Sequence, residues 1–393
     1  MENLNSNSKN IPKELWTKID DTEKNKEQIS RKSLTYFQDS WRRLKENKMA
    51  MIGLSVVIIL ILIALFGPMF SPYEYSDQNL SYSSLTPRLD IYKVSDDSYI
   101  HLANGLRLYR VTESGKIIEL LSATEQNLIE KKITYDVKGK TVLLDFENQP
   151  FKLLDGNGNE YSYHDRVWNK TYLFGSDDLG RDILVRVIYG ARISLLIAFV
   201  ATVVNFFIGV LYGGIAGYAG GKLDNFMMRI VDIISTVPLM LYVILLMVVL
   251  GSGLKPIIIA LGSIYWVGMA RIVRGQILSL KEQEYVLAAK SIGTRHWRIL
   301  TRHLLPNAMG PIIVSMTMMI PRAIFVEAFL SFIGLGVSAP KASWGTLAND
   351  ALGALRSYPH QLFFPALAIC VTMFAFNFLG DGLRDALDPR LRK

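Results

Sequence analysis

The residues best suited to chemical work lie in one stretch, EYVLAAKSIGTRHWRILTRHLLPN, Glu284 to Asn307. Tyr285, Ala288, Ala289 and Ile292 fall at i, i+3, i+4 and i+7, one face of a helix, and the two alanines keep that face small. Gly293 can end the helix and turn the chain. Thr294 suits the N-cap of a second helix, on which Trp297, Leu300 and Leu304 share one face and Arg295, Arg298 and Arg302 another. Pro306 then allows a fresh helical start. The chemistry on offer is recognition, not bond making: a short helix–turn–helix with a small apolar face and a basic face. Such an element fits a groove in another protein or, alternatively, lies flat on lipid.

A second pair carries weight because of where it sits. Arg322 and Glu327 interrupt an apolar run, and charges at membrane depth face a partner or a water-filled path. Five residues apart, they point about 140° apart around a helix and are poorly placed to pair with each other. They face a pathway or subunit interface, or they lie near the outer membrane surface and are solvated there.

Bond-making constellations are absent from this reading. His101 and His164 are isolated, and no carboxylate pair or nucleophile triad suggests itself. The single cysteine, Cys370, excludes an internal disulfide and a cysteine metal cluster. The stretch FFIGVLYGGIAGYAGGK superficially resembles a phosphate loop, but the Walker pattern needs glycine where Ala216 stands and Ser or Thr where Leu223 stands. We therefore assign no catalytic residue, bound cofactor or metal; ATP-driven work would need a motor on another chain.

The elements that must position these residues are membrane spans. Arg192 and Lys222 bracket 29 uncharged residues, Asp232 and Lys255 bracket 22, and Arg356 and Asp381 bracket 24. A bilayer core needs about 20 apolar residues as a helix. Six helices are expected, near 49–71, 193–218, 230–252, 256–276, 308–335 and 360–380. Pro238, Pro321 and Pro365 can kink three of them. Gly209, Gly213 and Gly217 stand at a spacing that permits close helix packing, with pore lining as the alternative.

The net charge of +8 sits where a membrane protein carries it, which argues against nucleic acid as a partner. Basic residues cluster at Arg42, Arg43, Lys45 and Lys48, in the 284–307 stretch, and at Arg384, Arg390, Arg392 and Lys393. The positive-inside rule puts all three in the cytoplasm, and six crossings leave both termini there. The first apolar run is too long for a signal-peptide core. Residues 1–32 read as a polar cytoplasmic tail, and 33–48 as an amphipathic helix contacting membrane lipid. The segment 72–170 is then extracytoplasmic. Within it, about 80–165 alternates in short runs with turn candidates at Asn104-Gly105, Ser114-Gly115 and Asp155-Gly156, which predicts a small β-rich insert of structural character.

These pieces resemble a family. The 284–307 stretch looks like the EAA loop of ABC-importer permeases: Leu287-Ala288-Ala289 is followed at the family distance by Gly293, and Leu305-Pro306 closes it. Leu287 replaces the usual glutamate and His303 the usual isoleucine, departures ordinary in the oligopeptide/dipeptide/nickel branch, where H-x-L-P-N is a typical ending. FGSDDLGRDILVRVIYGARISL (174–195), EAFLSFIGLGVSAPKASWG (327–345) and SWRRLKENKMAMIGL resemble stretches of that branch's second, C-type permease. The likeness covers roughly 33–71 and 167–393 and passes over the insert.

The resemblance implies an all-α polytopic membrane protein with the type I ABC importer fold in 171–393, plus the inserted β-rich domain. It implies that 284–307 couples to an ATPase, through Tyr285, Leu287, Ala288, Ala289, Gly293, Arg295, Trp297, Arg298, Leu305 and Pro306. The implied partners are a second permease subunit, two ATP-binding subunits that use ATP and Mg, and an extracellular or lipid-anchored peptide-binding protein. Peptides are the implied substrate, with nickel or another small solute as the alternative. An ion-coupled secondary transporter, with Glu327 as coupling site, is the rival outside the family.

Overall fold

The computed structural model describes residues 35–388. The expected polar tail, together with Arg390, Arg392 and Lys393, lies outside the described residues.

The chain enters through α1, Tyr36–Glu46. Thr35 and Gln38 cap it reciprocally, with the Gln38 amide N–H donating to Thr35 Oγ1 at 3.4 Å and the Thr35 N–H to Gln38 Oε1 at 3.1 Å. Asp39 binds Arg42 at 2.8 Å and Arg43 at 3.1 Å. Leu44 is buried beside Ala50 and Ala386, so one face of α1 is anchored to the end of the last span. Asn47 then caps α2, Lys48–Phe66, which a short 3-10 turn, Gly67–Phe70, extends.

Among the described residues, five helices are long and apolar enough to cross a membrane, or six if one bent pair counts as a span. The axis is α3, Ile183–Ala219, whose 37 residues reach about 55 Å. That exceeds the roughly 30 Å of hydrocarbon, so the helix extends ten residues before the expected 193 and projects past the apolar layer. Asp182 starts it by accepting the Leu184 N–H at 2.8 Å.

The third expected span, 230–252, is not one helix. It divides into α4, Gly221–Thr236, and α5, Leu239–Leu250, bent by 82°. Pro238 removes a donor and forces Val237 into an extended conformation (φ −76°, ψ 126°). The 12 residues of α5 span only about 18 Å. On the amphipathic α4, Asp224 receives a bidentate pair from Arg274 at 2.6 and 2.7 Å, and Asp232 meets Arg271 at 2.9 Å.

The fourth span is α6, Leu254–Ile264, running into α7, Trp266–Leu280. The fifth is α10, Leu305–Leu330, and the last α12, His360–Leu387. The glycine row of α3 is a packing surface. A Cβ at Gly209 would come 2.5 Å from the Met269 side chain, and one at Gly217 would come 2.9 Å from the Arg274 carbonyl. Close approach of α3 and α7, not pore lining, is what these glycines permit.

Residues 88–168 form two antiparallel sheets. β1 (Arg88–Ser95), β2 (Ser98–Ala103), β3 (Arg107–Val111), β4 (Ile117–Leu120) and β9 (Tyr163–Trp168) lie in the order β4-β3-β2-β1-β9. β5 (Ala123–Asn127), β6 (Lys132–Val137), β7 (Lys140–Asp145) and β8 (Lys152–Asp155) lie in sequence order. The two sheets share a core in which Ile100 and Leu108 meet Tyr135, Val142 and Leu144. The opposite face of the first sheet is also covered, because Leu89, Ile91 and Tyr109 pack against Leu85 and Tyr172. This explains why β2 buries four consecutive residues instead of alternating.

One turn candidate is displaced. In the loop after β8 the left-handed residue is Gly158 (φ +85°), not Gly156, and the Gly158 N–H closes the turn on the Asp155 carbonyl at 3.0 Å. Lys138 and Gly139, both at positive φ, make a two-residue hairpin between Val137 and Lys140 inside what reads as one run.

Candidate functional site

The elbow is built from α8, Glu284–Ser291, and α9, His296–Ile299. Gly293 joins them at φ +77°. The Thr294 N–H reaches the Ala289 carbonyl at 3.1 Å and the Gly293 N–H the Lys290 carbonyl at 3.0 Å, the hydrogen-bond pair of a Schellman stop. A Cβ at Gly293 would meet nothing, so the glycine is required by its backbone angle and not by crowding. Thr294 does not cap α9: Arg295 occupies the cap position and no side chain closes it.

The elbow's faces differ from the periodic expectation. Val286 and Ala289 turn inward and pack with Ile299, Leu300 and Leu304 against Val273 and Ile277. Ala288 is exposed, and so are Arg295 and Arg298. Tyr285, Leu287, Ile292 and Trp297 are 41%, 46%, 83% and 59% exposed. Trp297 does not turn inward with Leu300 and Leu304, which are buried; the π-helical turn Leu300–Leu304 shifts the register of Leu304 relative to Trp297 by one residue. Ala289 therefore seats the elbow on its own bundle, while the outward surface is a mixture of large apolar and basic side chains.

Leu305 and Pro306 do not begin a separate helix. The π-turn runs directly into α10, with Pro306 in its first turn, so the second limb of the elbow and the fifth span form one rod. Tyr218 at the end of α3 braces the elbow, its hydroxyl 2.8 Å from His296 Nδ1.

At the other end of α3 the charged residues are consumed internally. Asp177 accepts from Arg181 Nε at 2.7 Å and from Arg186, and Arg186 also reaches Asp350 at 3.5 Å. All of these except Asp350 are buried. Ser176 joins the network to the chain entering the insert: its hydroxyl donates to the Tyr82 carbonyl and accepts the Leu85 N–H at 2.9 Å. Although Asp350 is partly exposed, the desolvation of its protein-facing side outweighs the pull of Arg186 and Arg181 and pushes its carboxyl above the usual range. In the insert, burial holds His101 below the usual imidazole value, and its Nδ1 sits 2.9 Å from the Asp90 carbonyl.

Glu327 lies on neither a pathway wall nor an outer surface. It is fully buried, with Ser194 Oγ donating at 3.0 Å and Ser331 Oγ at 2.8 Å. Ser194 in turn accepts the Trp344 N–H at 3.2 Å, and the Trp344 indole donates to the Val187 carbonyl at 2.9 Å. The carboxylate thus joins α3, α10 and the short helix α11, Trp344–Asp350. Arg322, on the other side of α10, is exposed. Sequence reasoning missed Asp177, Arg186, Ser194 and Trp344 as a group. The signal was present, since all but Trp344 fall in the 174–195 motif and Trp344 in the 327–345 motif, but their partners are remote in sequence.

Comparison with known proteins covers the entry of the chain and the elbow. The profile of the binding-protein-dependent transport system inner membrane component family matches residues 209–393, and that of the N-terminal TM domain of oligopeptide transport permease C matches 35–87. The chain is 44% identical over 384 residues to the oligopeptide transport system permease protein OppC of Bacillus subtilis, covering 98% of this chain and 99% of that one. It is 41% identical to the dipeptide transport system permease protein DppC of the same organism, covering 98% and 95%. Against OppC of Escherichia coli it is 41% identical, covering 60% and 80%. Among solved structures, an inward-facing MetNI methionine ABC transporter aligns with a TM-score of 0.45 at 19% identity, covering 52% of this chain and 98% of that one.

The Bacillus alignments correct one expectation. At 384 of 393 residues they run through the β-rich insert, so the likeness does not stop at its edges. The chain belongs to the family of ABC peptide-importer permeases, the inner membrane components of binding-protein-dependent transport.

Proposed function

We propose that the chain forms half of the translocation path for oligopeptides or dipeptides, and that its elbow docks on a cytoplasmic ATPase subunit. The observation that carries this reading is the mounting of the elbow. A firmly packed inner face presents Tyr285, Leu287, Ile292 and Trp297 to the outside together with Arg295 and Arg298. Exposed apolar side chains rimmed by charge mark a protein contact. The rod from α9 into α10 supplies the lever: a pull on the elbow acts directly on the fifth span. Alternating access by rocking of rigid bundles follows.

In this reading the elbow and both termini are cytoplasmic and residues 80–165 are extracytoplasmic, where the insert is a platform or spacer for the peptide-binding protein. The assembly contains a second permease and two ATPase subunits, and ATP and Mg are used there. The names of the relatives favour peptides over nickel or another small solute.

A cysteine at Ala288, which is exposed, tests the docking in intact cells. Crosslinking to a nucleotide-hydrolysing subunit is expected. Capture of lipid alone would sink the coupling role. An ion-coupled transporter would be indicated by uptake in proteoliposomes that survives without ATP hydrolysis.

A further inference from the structure

Arg322 is an arginine of the bundle for which the described residues supply neither a carboxylate nor a carbonyl, unlike Arg192, which donates to the Ala64 and Leu65 carbonyls at 2.9 and 2.8 Å. Arg186, Arg271 and Arg274 all have carboxylates within reach; among the described residues no ion pair or hydrogen bond holds Arg322. It lies inside the apolar span His296–Leu335, where an exposed guanidinium must face a partner or a water-filled path.

Arg322 opens on a cavity of about 400 Å³. Three spans wall it. The break between α4 and α5 contributes Ser235, Thr236 and Pro238, the junction of α6 and α7 contributes Tyr265, and α10 contributes Ser315 and Met319. Ser315, Met319 and Arg322 stand at i, i+4 and i+7, one face of α10. Beyond the guanidinium the polar side chains are hydroxyls, and no carboxylate lines the cavity. The volume lies in the range of small-molecule sites. Interrupted spans mark cavities where irregular backbone meets an aqueous route.

We propose that this cavity is a transit site for peptides, in which Arg322 holds the C-terminal carboxylate of the cargo while the apolar walls accept its side chains. The inference rests on the transport reading above. A guanidinium presents a planar fork of donors that matches a carboxylate, and the cavity supplies no competing acid. An acidic side chain from a second permease subunit could neutralise Arg322, but it would leave the recess behind it unfilled.

The test uses the complete importer with its peptide-binding protein in proteoliposomes. ATP-dependent uptake of labelled trialanine and of its C-terminal amide is measured with wild type, Arg322→Ala and Arg322→Lys. The binding protein is the same throughout, so its own preference cancels when acid-to-amide ratios are compared. Arg322→Ala is expected to lower that ratio about tenfold, with Arg322→Lys restoring part of it. An equal loss of both substrates in Arg322→Ala, an unchanged ratio, or failure of that variant to copurify with the second permease overturns the carboxylate site, the last in favour of a subunit contact. Absence of ATP-dependent uptake by the wild-type importer overturns the transport reading itself.

Discussion

The two ends of α3 carry similar residues and use them in opposite ways. Around Asp177, Arg181 and Arg186 the charges close on one another inside the protein. Around the elbow, Arg295 and Arg298 point away from the chain beside exposed Leu287 and Trp297. Both ends lie in stretches that resemble motifs of the family. A motif therefore does not say whether its residues hold the fold or meet a partner; burial and the location of counter-charges do. The knotted end ties the insert's root, α3 and α11 together. The elbow end keeps its large side chains available.

Substitutions should separate the two ends, most strongly at the knot. Asp177→Ala leaves Arg186 buried without its main partner, a loss of about 3–5 kcal/mol for breaking a buried pair. Thermal unfolding of the purified chain in detergent should show a marked fall; a melting point equal to wild type would remove the distinction between the ends. Glu327→Ala strands the hydroxyls of Ser194 and Ser331 and is expected to cost about 1–3 kcal/mol. Glu327→Gln, which keeps an acceptor, should melt closer to wild type in the same assay.

At the elbow the effects on stability shrink while those on coupling remain. Gly293→Ala forces a Cβ into the left-handed region, at about 1–2 kcal/mol. Gly293→Asn should be milder, since asparagine tolerates that conformation, and ATP-driven uptake should rank glycine, asparagine, alanine. Leu287→Asp replaces an exposed side chain, so stability should shift by no more than about 0.5 kcal/mol, yet uptake should collapse. A Leu287→Asp chain that melts normally and transports normally would show that the outward face meets nothing.

Much of the fold was legible because spans are local facts. A bilayer-length run without charge declares itself, as does the glycine that ends α8. The break at Pro238 was half legible: the proline was visible as a kink, but a bend of 82° requires neighbours that satisfy the freed backbone and bind Asp224 and Asp232. The insert's turns at Gly105 and Gly115 follow from residues that tolerate positive φ. Its pairing of β1 with β9, across more than 60 residues, has no local signal.

The sequence by itself determined where the chain is apolar enough to span a membrane, where it must turn, and which segments carry motifs. The tertiary structure decided which way those motifs face. Ala289 turns inward because α7 offers it a seat. Glu327 is buried because Ser194, more than 130 positions earlier, supplies a donor. Arg322 is left open because no acid arrives. Periodicity fixes only the angle between side chains on one helix, whereas orientation depends on what distant segments bring to each face.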